Sequence, residues 1–181
     1  MDHGDHVRLI RDGVVGLAGS QWADLGSGTG AFTLALADLL EPGGSIVSVD
    51  RDAEALTSQS RLMVARFPGT PVRYLRADLM DELAIGPMDG IVMANALHFI
   101  RKRELFLTRL ASWIRPGGRF ILVEYDSDRG NPWVPHALSW DTWHATAERA
   151  GFGETQLIGR LPSRFLGSIY ASLSVTSVGP S

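Results

Sequence analysis

The chain has 181 residues, 45% hydrophobic and 20% charged, with a formal net charge of −3; this suits one globular domain with a sizeable core and gives no compositional sign of disorder. It contains no cysteine, which excludes disulfides, thiolate metal sites and cysteine nucleophiles. The mildly acidic balance disfavours a nucleic-acid partner, because a phosphate backbone draws a basic face, and with no apolar leader core and no apolar run of spanning length a soluble, cytoplasmic protein without a membrane partner is expected.

Helical and strand-like patterns alternate along the chain, with no repeat, low-complexity stretch or linker. Val7, Leu9, Ile10, Val14, Val15 and Leu17 predict a short amphipathic helix, so residues 1–19 read as a helical cap segment ahead of a core at 20–181. Residues 22–25 form an apolar run that stops at a glycine cluster, the mark of a buried strand. Residues 31–40 read as a helix ended by Glu41-Pro42-Gly43-Gly44. Residues 45–49 are β-rich and end at Asp50, and Asp52 is the expected N-cap of a helix running to about Phe67. Residues 72–77 and 90–94 give a third and a fourth strand, the third ending at Asp78. A helix then carries Phe106, Leu110, Trp113 and Ile114 on one face until Pro116-Gly117-Gly118 stops it, and residues 119–125 form a fifth strand. Residues 140–150 are helical up to Gly151. The tail holds two strand-like stretches, 154–161 and 168–176, too close for a crossover helix, so they pair antiparallel. The expected fold is α/β, a three-layer α/β/α sandwich about a seven-stranded, mostly parallel sheet with an antiparallel terminal strand.

Ligands of open α/β sheets bind beyond the carboxyl ends of the strands. The polar residues predicted there are Asp24 and the glycine turn, Asp50, Asp78, Asn95 with His98, and Tyr125 with Asp126. Gly26, Gly28 and Gly30 allow a tight strand-to-helix turn and close approach of backbone to a ligand. The same stretch also satisfies the dinucleotide pattern through Gly26, Gly28 and Ala31, and a bare turn with no ligand is a third reading. A carboxylate at Asp50 can accept two hydrogen bonds from a ribose diol. Asp78 could meet an adenine amino group, or simply form a turn with Asp81. Together Asp24, Asp50 and Asp78 make an acidic rim that would repel a pyrophosphate and tolerate a ligand carrying a sulfonium and an ammonium.

On these residues the chain resembles the class I S-adenosylmethionine (SAM) dependent methyltransferases over nearly its whole length. Asp24-Leu25-Gly26-Ser27-Gly28-Thr29-Gly30 resembles their glycine-rich first motif, and Val49-Asp50-Arg51-Asp52 resembles the acidic segment that follows. Arg76-Ala77-Asp78-Leu79, the run from Asp89 to His98, and Ile114-Arg115-Pro116-Gly117-Gly118 resemble the later motifs in order. The resemblance implies SAM as methyl donor, with S-adenosylhomocysteine (SAH) as product. It implies cofactor contacts at Asp24, Gly26, Ser27, Gly28, Gly30, Asp50, Arg51, Asp78, Leu79 and Asn95. It also implies in-line transfer without a metal or covalent intermediate, driven by positioning and exclusion of water.

His98 is the candidate catalytic residue, because histidine can orient or deprotonate a nucleophile near neutral pH; the alternative is a structural histidine opening the next helical segment. Tyr125, Trp133 and His136 are candidate acceptor contacts, Trp133 alternatively being tucked into the core. His3, His6 and Arg8 could cover the site from the N-terminal helix, and no metal site is expected. Asn95-Ala96-Leu97-His98 lacks the two prolines of the amino-methylating nucleic-acid enzymes, and carbon-5 pyrimidine chemistry needs a cysteine. A small-molecule acceptor of undefined identity remains, with oligomeric state undetermined. The rivals are a nicotinamide-dependent oxidoreductase and a non-catalytic SAM-binding module.

Overall fold

The computed structural model describes residues 1–14 and 18–177, so Val15 and Leu17 of the first predicted helix lie outside the described residues. Seven strands form one sheet in the order β3-β2-β1-β4-β5-β7-β6. They are β1 (Gln21–Leu25), β2 (Ser45–Asp50), β3 (Val72–Arg76), β4 (Met88–Ala94), β5 (Ile114–Tyr125), β6 (Phe152–Ser163) and β7 (Gly167–Thr176). Strands β1 to β5 pair in parallel, whereas β7 is antiparallel to both β5 and β6. The chain leaves β1 for β2 on one side and later returns to β4 on the other, so the switch in strand order falls between β1 and β4. That is where such sheets hold ligands.

Among the described residues five α-helices cover the two faces: α1 (His3–Ile10), α2 (Ala31–Leu39), α3 (Ala53–Arg66), α4 (Arg103–Ser112) and α5 (Trp140–Arg149). Side chains alternate across a strand, and β5 shows the result. Phe120 and Leu122 point into a core with Phe106 of α4 and Trp143 of α5, while Ile121 and Val123 meet Ile10 of α1, Leu36 of α2 and Met63 of α3. Burying each large apolar side chain stabilises the fold by about 1.5–3 kcal/mol, set against the entropy of ordering the chain. Helix α1 lies on α2 and β6, where it comes so close that a Cβ at Gly159 would sit 3.1 Å from the Leu9 carbonyl. Among the described residues no helix is long and apolar enough to cross a membrane.

Helix α1 ends at Ile10, so Val14 falls outside the predicted first helix, and the boundaries around β5 also differ from expectation. Helix α4 ends at Ser112, and Ile114 already belongs to β5, paired with Met88. The next register pair is Gly90 with Arg119, so Arg115-Pro116-Gly117-Gly118 is a bulge inside β5 rather than the stop of a helix. Gly117 at φ +74° permits it. The N-cap Asp52 is as expected, its side chain accepting from the amides of Glu54 and Ala55.

Candidate functional site

The glycine turn is fixed from three sides. The amides of Gly26 and Ser27 both donate to the Val49 carbonyl, at 2.8 and 3.1 Å, which fastens the turn to the end of β2. A Cβ at Gly26 would sit 2.7 Å from that of Ala96, and one at Gly30 would fall 2.3 Å from Cγ of Gln59. Gly28, at φ +52°, would meet nothing within 4 Å. The outer glycines thus permit packing, and the middle one faces open space. The N-cap Gly30 offers no side chain to the start of α2, and the Thr33 amide turns to the buried Asp24, which leaves the amides of Ala31 and Phe32 uncapped for an anion.

Beside the turn lies a cleft of about 800 Å³ lined by Gly26, by Asp50 to Asp52 after β2, by residues 77–80 after β3, and by Asn95, Ala96 and Phe99 after β4. Asp50 is held in place by main-chain donors. Its Oδ2 accepts from Gly28 N at 2.7 Å and its Oδ1 from Asp52 N at 2.9 Å, so lone pairs remain on both oxygens. Asp78 accepts from Met80 N at 2.8 Å while its own amide donates to Asp81, so it both shapes a turn and lines the cleft. Arg109 of α4 donates to the carbonyls of Leu79 and Met80, at 3.0 and 2.9 Å, and so anchors that loop. Asn95 adopts φ +51°, the one non-glycine residue among those described with a left-handed backbone. Its buried Oδ1 has no partner. An orphaned acceptor on a strained backbone at a cleft wall is a mark of ligand binding.

Asp24 requires a correction, since it lies beneath the cleft rather than on its rim. It is 1% exposed, and its Oδ2 accepts from Thr33 Oγ1 at 2.6 Å. Burial pushes its carboxyl up to about 7, opposed by the Thr33 hydrogen bond and assisted by the charge of Asp50. Thr33 in turn accepts from Gln59, whose Oε1 takes the Ser48 hydroxyl at 2.7 Å, and Ser48 meets Ser27 at 2.8 Å. This buried chain of polar groups underlies the whole turn and joins β1, α2, β2 and α3. Only Asp24 and Ser27 of it were legible in advance. The rim itself is mixed, because Arg51, Arg101 and Lys102 line it alongside Asp50, Asp52 and Asp78. Uniform acidity is therefore not what would distinguish its ligand from a dinucleotide.

His98 follows the cleft wall, on a 3-10 turn (Leu97–Phe99), but it is buried. Its Nδ1 lies 2.8 Å from Oε2 of Glu124, and its backbone amide donates to Oε1 at 3.2 Å. Glu124 of β5 is fully buried and was passed over in the sequence, where the polar pair Tyr125-Asp126 drew attention instead. An acidic residue among the inward-facing apolar positions of a buried strand was the available signal. Asp126 is already engaged, by Trp140 N at 2.9 Å and Arg160 at 2.7 Å. Tyr125 lies between the rings of His98 and Phe165, tilted against both.

The remaining candidates lie elsewhere. Trp133 is 74% exposed, and its neighbour Val134 takes the buried place, so Trp133 is neither core nor cleft wall. The turn at 131–134 explains this, with Asn131 Oδ1 accepting from both of their amides. His136 lines a separate groove of about 760 Å³ between the α4 start and α5. His3 pairs with Asp38, His6 meets the Phe32 ring edge-on at 5.0 Å and Arg8 pairs with Asp5, so none of the three lines the cleft.

The pattern of the methyltransferase domain family matches residues 23–120. An uncharacterised methyltransferase of Mycobacterium tuberculosis is 33% identical over 75% of this chain, which spans 66% of that relative's length. An arsenite methyltransferase of Aquipseudomonas alcaligenes is 27% identical over 81% of this chain and 48% of the relative. Among solved structures, the YcgJ protein of Bacillus subtilis superposes with a TM-score of 0.80 at 15% identity, over 98% of this chain and 100% of that one. The N-terminal domain of EvdMO1 with SAH bound superposes with a TM-score of 0.72 at 21% identity, over 97% and 82% of the two chains. With its ordered motifs, its glycine turn at the switch point and its reversed β7, the chain belongs to the class I SAM-dependent methyltransferase family.

Proposed function

We propose that this chain binds SAM in the cleft over β1 to β4 and passes its methyl group to a small-molecule acceptor. One observation carries the reading. Asp50, tied to the Gly28 amide, Gly26 at the start of the glycine turn and Asn95 with its left-handed backbone line a single cleft. Each meets a different part of the donor. The free lone pairs of Asp50 accept from the two ribose hydroxyls, and Asn95 flanks the amino-acid end. The uncapped start of α2 faces the carboxylate, and Asp78 and Leu79 flank the adenine. Arg51 covers the cleft from its exposed edge. When bound, the donor supplies a methyl group made electrophilic by its sulfonium, and the chain supplies position and dryness.

A small acceptor fits better than a polymer. The mouth is a pocket with both signs of charge, not a basic track. The arsenite activity named for one relative is not carried over, since this chain has no thiolate for a thiophilic acceptor.

The test is calorimetric titration with SAH and, separately, with NAD. SAH should saturate one site, and the Asp50→Ala variant should weaken it. Saturation by NAD with no heat from SAH would overturn the reading.

A further inference from the structure

We propose that the acceptor is a planar aromatic molecule bearing a hydroxyl, seated on a row of rings beside the donor cleft, and that Glu124 holds His98 to receive its proton. The proposal rests on the methyltransferase reading above and names the acceptor class for that site.

The rings come first. Phe99, which lines the donor cleft, has its centroid 4.2 Å from that of His98. His98 lies 6.4 Å from Tyr125, and Tyr125 lies 5.4 Å from Phe165 in the β6–β7 turn. Register places that turn at the ligand end of the sheet, since Ile169 pairs with Tyr125 at the carboxyl end of β5. Phe99 is 59% exposed and Phe165 48%. A single exposed ring is ordinary, but here the buried His98 and the half-buried Tyr125 link two exposed rings, the first of them in the donor cleft. A flat aromatic molecule matches the exposed rings in shape and in ring-to-ring attraction.

The dyad supplies the second half. A backbone N–H can only donate, so Glu124 Oε1 is an acceptor for the His98 amide. Oε2 then takes the Nδ1 proton, which leaves the Nε2 lone pair as the basic side of the ring. Nε2 has no hydrogen-bond partner among the described residues and is not one of the fully buried orphaned atoms. The charged and titratable groups around the pair are Arg103 of α4, Tyr125 of β5, Tyr170 of β7, and Asp126 and Asp128 after β5. Burial and Glu124 push both tyrosine hydroxyls up, so neither competes with His98 as a base. A base is useful only where the nucleophile arrives carrying a proton, which points to a hydroxyl.

The step balances. The hydroxyl oxygen forms the new bond to the methyl carbon. The carbon–sulfur bond breaks with its electron pair left on sulfur as a neutral thioether. The hydroxyl proton passes to His98 Nε2 and from there to water, while Nδ1–H stays on Glu124.

The experiment uses the full chain saturated with SAH, with 4-nitrophenol and nitrobenzene as probes. If SAH itself does not bind, the methyltransferase reading fails. If SAH binds and 4-nitrophenol does not, only the present proposal fails. The expected result is that 4-nitrophenol saturates, its phenolate absorbance grows on binding, and nitrobenzene binds more weakly. Phe165→Ala should weaken 4-nitrophenol about five- to tenfold with SAH affinity unchanged; equal affinity in that variant overturns the seat. Glu124→Gln presents an amide N–H to Nδ1, which moves the imidazole proton to Nε2, the wrong nitrogen for a base. It should abolish the phenolate signal while SAH still binds. His98→Gln, which keeps a donor for Glu124, should do the same. In methyl transfer to a series of phenols, the loss in kcat caused by either variant should shrink as the phenol becomes more acidic, with KM nearly constant. A loss of equal size across the series, the signature of a merely structural pair, overturns the assignment.

Discussion

Over β1 to β3 the carboxyl edge of the sheet is polar and fastened to backbone; over β4 to β7 it is aromatic and built on a buried histidine–glutamate hydrogen bond. In the first half, Asp50 and the glycine turn hold each other by main-chain hydrogen bonds, and Asp24 lies beneath them in a buried polar chain. In the second half, the 3-10 turn, β5 and the β6–β7 turn each contribute one or two side chains, and Glu124 with His98 joins them. A ligand common to a whole family can be met by backbone and short acids that tolerate little change. An acceptor particular to one protein is met by side chains brought together from distant segments.

If the halves are separate in function, variants should divide cleanly between donor affinity and turnover. The largest effect is expected in the aromatic half. His98→Gln should lower turnover of a phenolic acceptor by about 10²–10⁴-fold, with SAH affinity unchanged, because His98 does not line the donor cleft. Calorimetry beside steady-state kinetics reads both, and a matching loss of SAH affinity would merge the halves.

Next comes Asp24. Its folded-state carboxyl is raised from 3.8 to about 7, so the folded chain keeps a proton that the unfolded chain has released over that range. Stability should therefore fall as pH climbs from about 4 to about 7, by at most about 4 kcal/mol, and fall no further on this account above that. Asp24→Asn keeps an acceptor for Thr33 and should flatten the slope. Denaturant melts of the two proteins at pH 5 and pH 8 measure it, and parallel behaviour would mean that the acid is relaxed by water.

Asp50→Ala should weaken SAH by about 1.5–3 kcal/mol, the worth of charge-assisted hydrogen bonds, and leave binding of the nitrophenol probe to the remaining SAH-loaded protein intact. Trp133→Ala should be nearly silent in every assay, within about 0.5 kcal/mol in stability, because the side chain stands in solvent. An effect of Trp133 on acceptor KM would extend the aromatic row into the loop after β5.

The donor half was legible because its requirements are local. A turn that bends from strand to helix needs glycine where φ is positive, and a strand-end carboxylate needs only to follow an apolar run, so Gly26, Gly28, Gly30 and Asp50 announce themselves. The reversed β7 was legible for a similar reason, since 163–167 is too short for a crossover. The same reasoning misread Pro116-Gly117-Gly118, which breaks a helix in a propensity argument but serves as a bulge once Ile114 has found Met88. It also placed Asp24 on the rim. A place near the end of a strand says nothing about which side of the turn the carboxylate takes, and the bond from Thr33 holds this one inward.

By itself the sequence determined the order of elements and the family's donor motifs, because periodicity, glycine and strand-end acids act over a few residues; the strand order, and with it the switch point between β1 and β4, came from the sheet. Only the tertiary structure decided that Glu124 holds His98, that Gln59 and Ser48 underpin the turn, and that Phe99 and Phe165 end one row of rings. Those pairings join residues far apart in the chain, and packing, which no local pattern encodes, sets which of them meet.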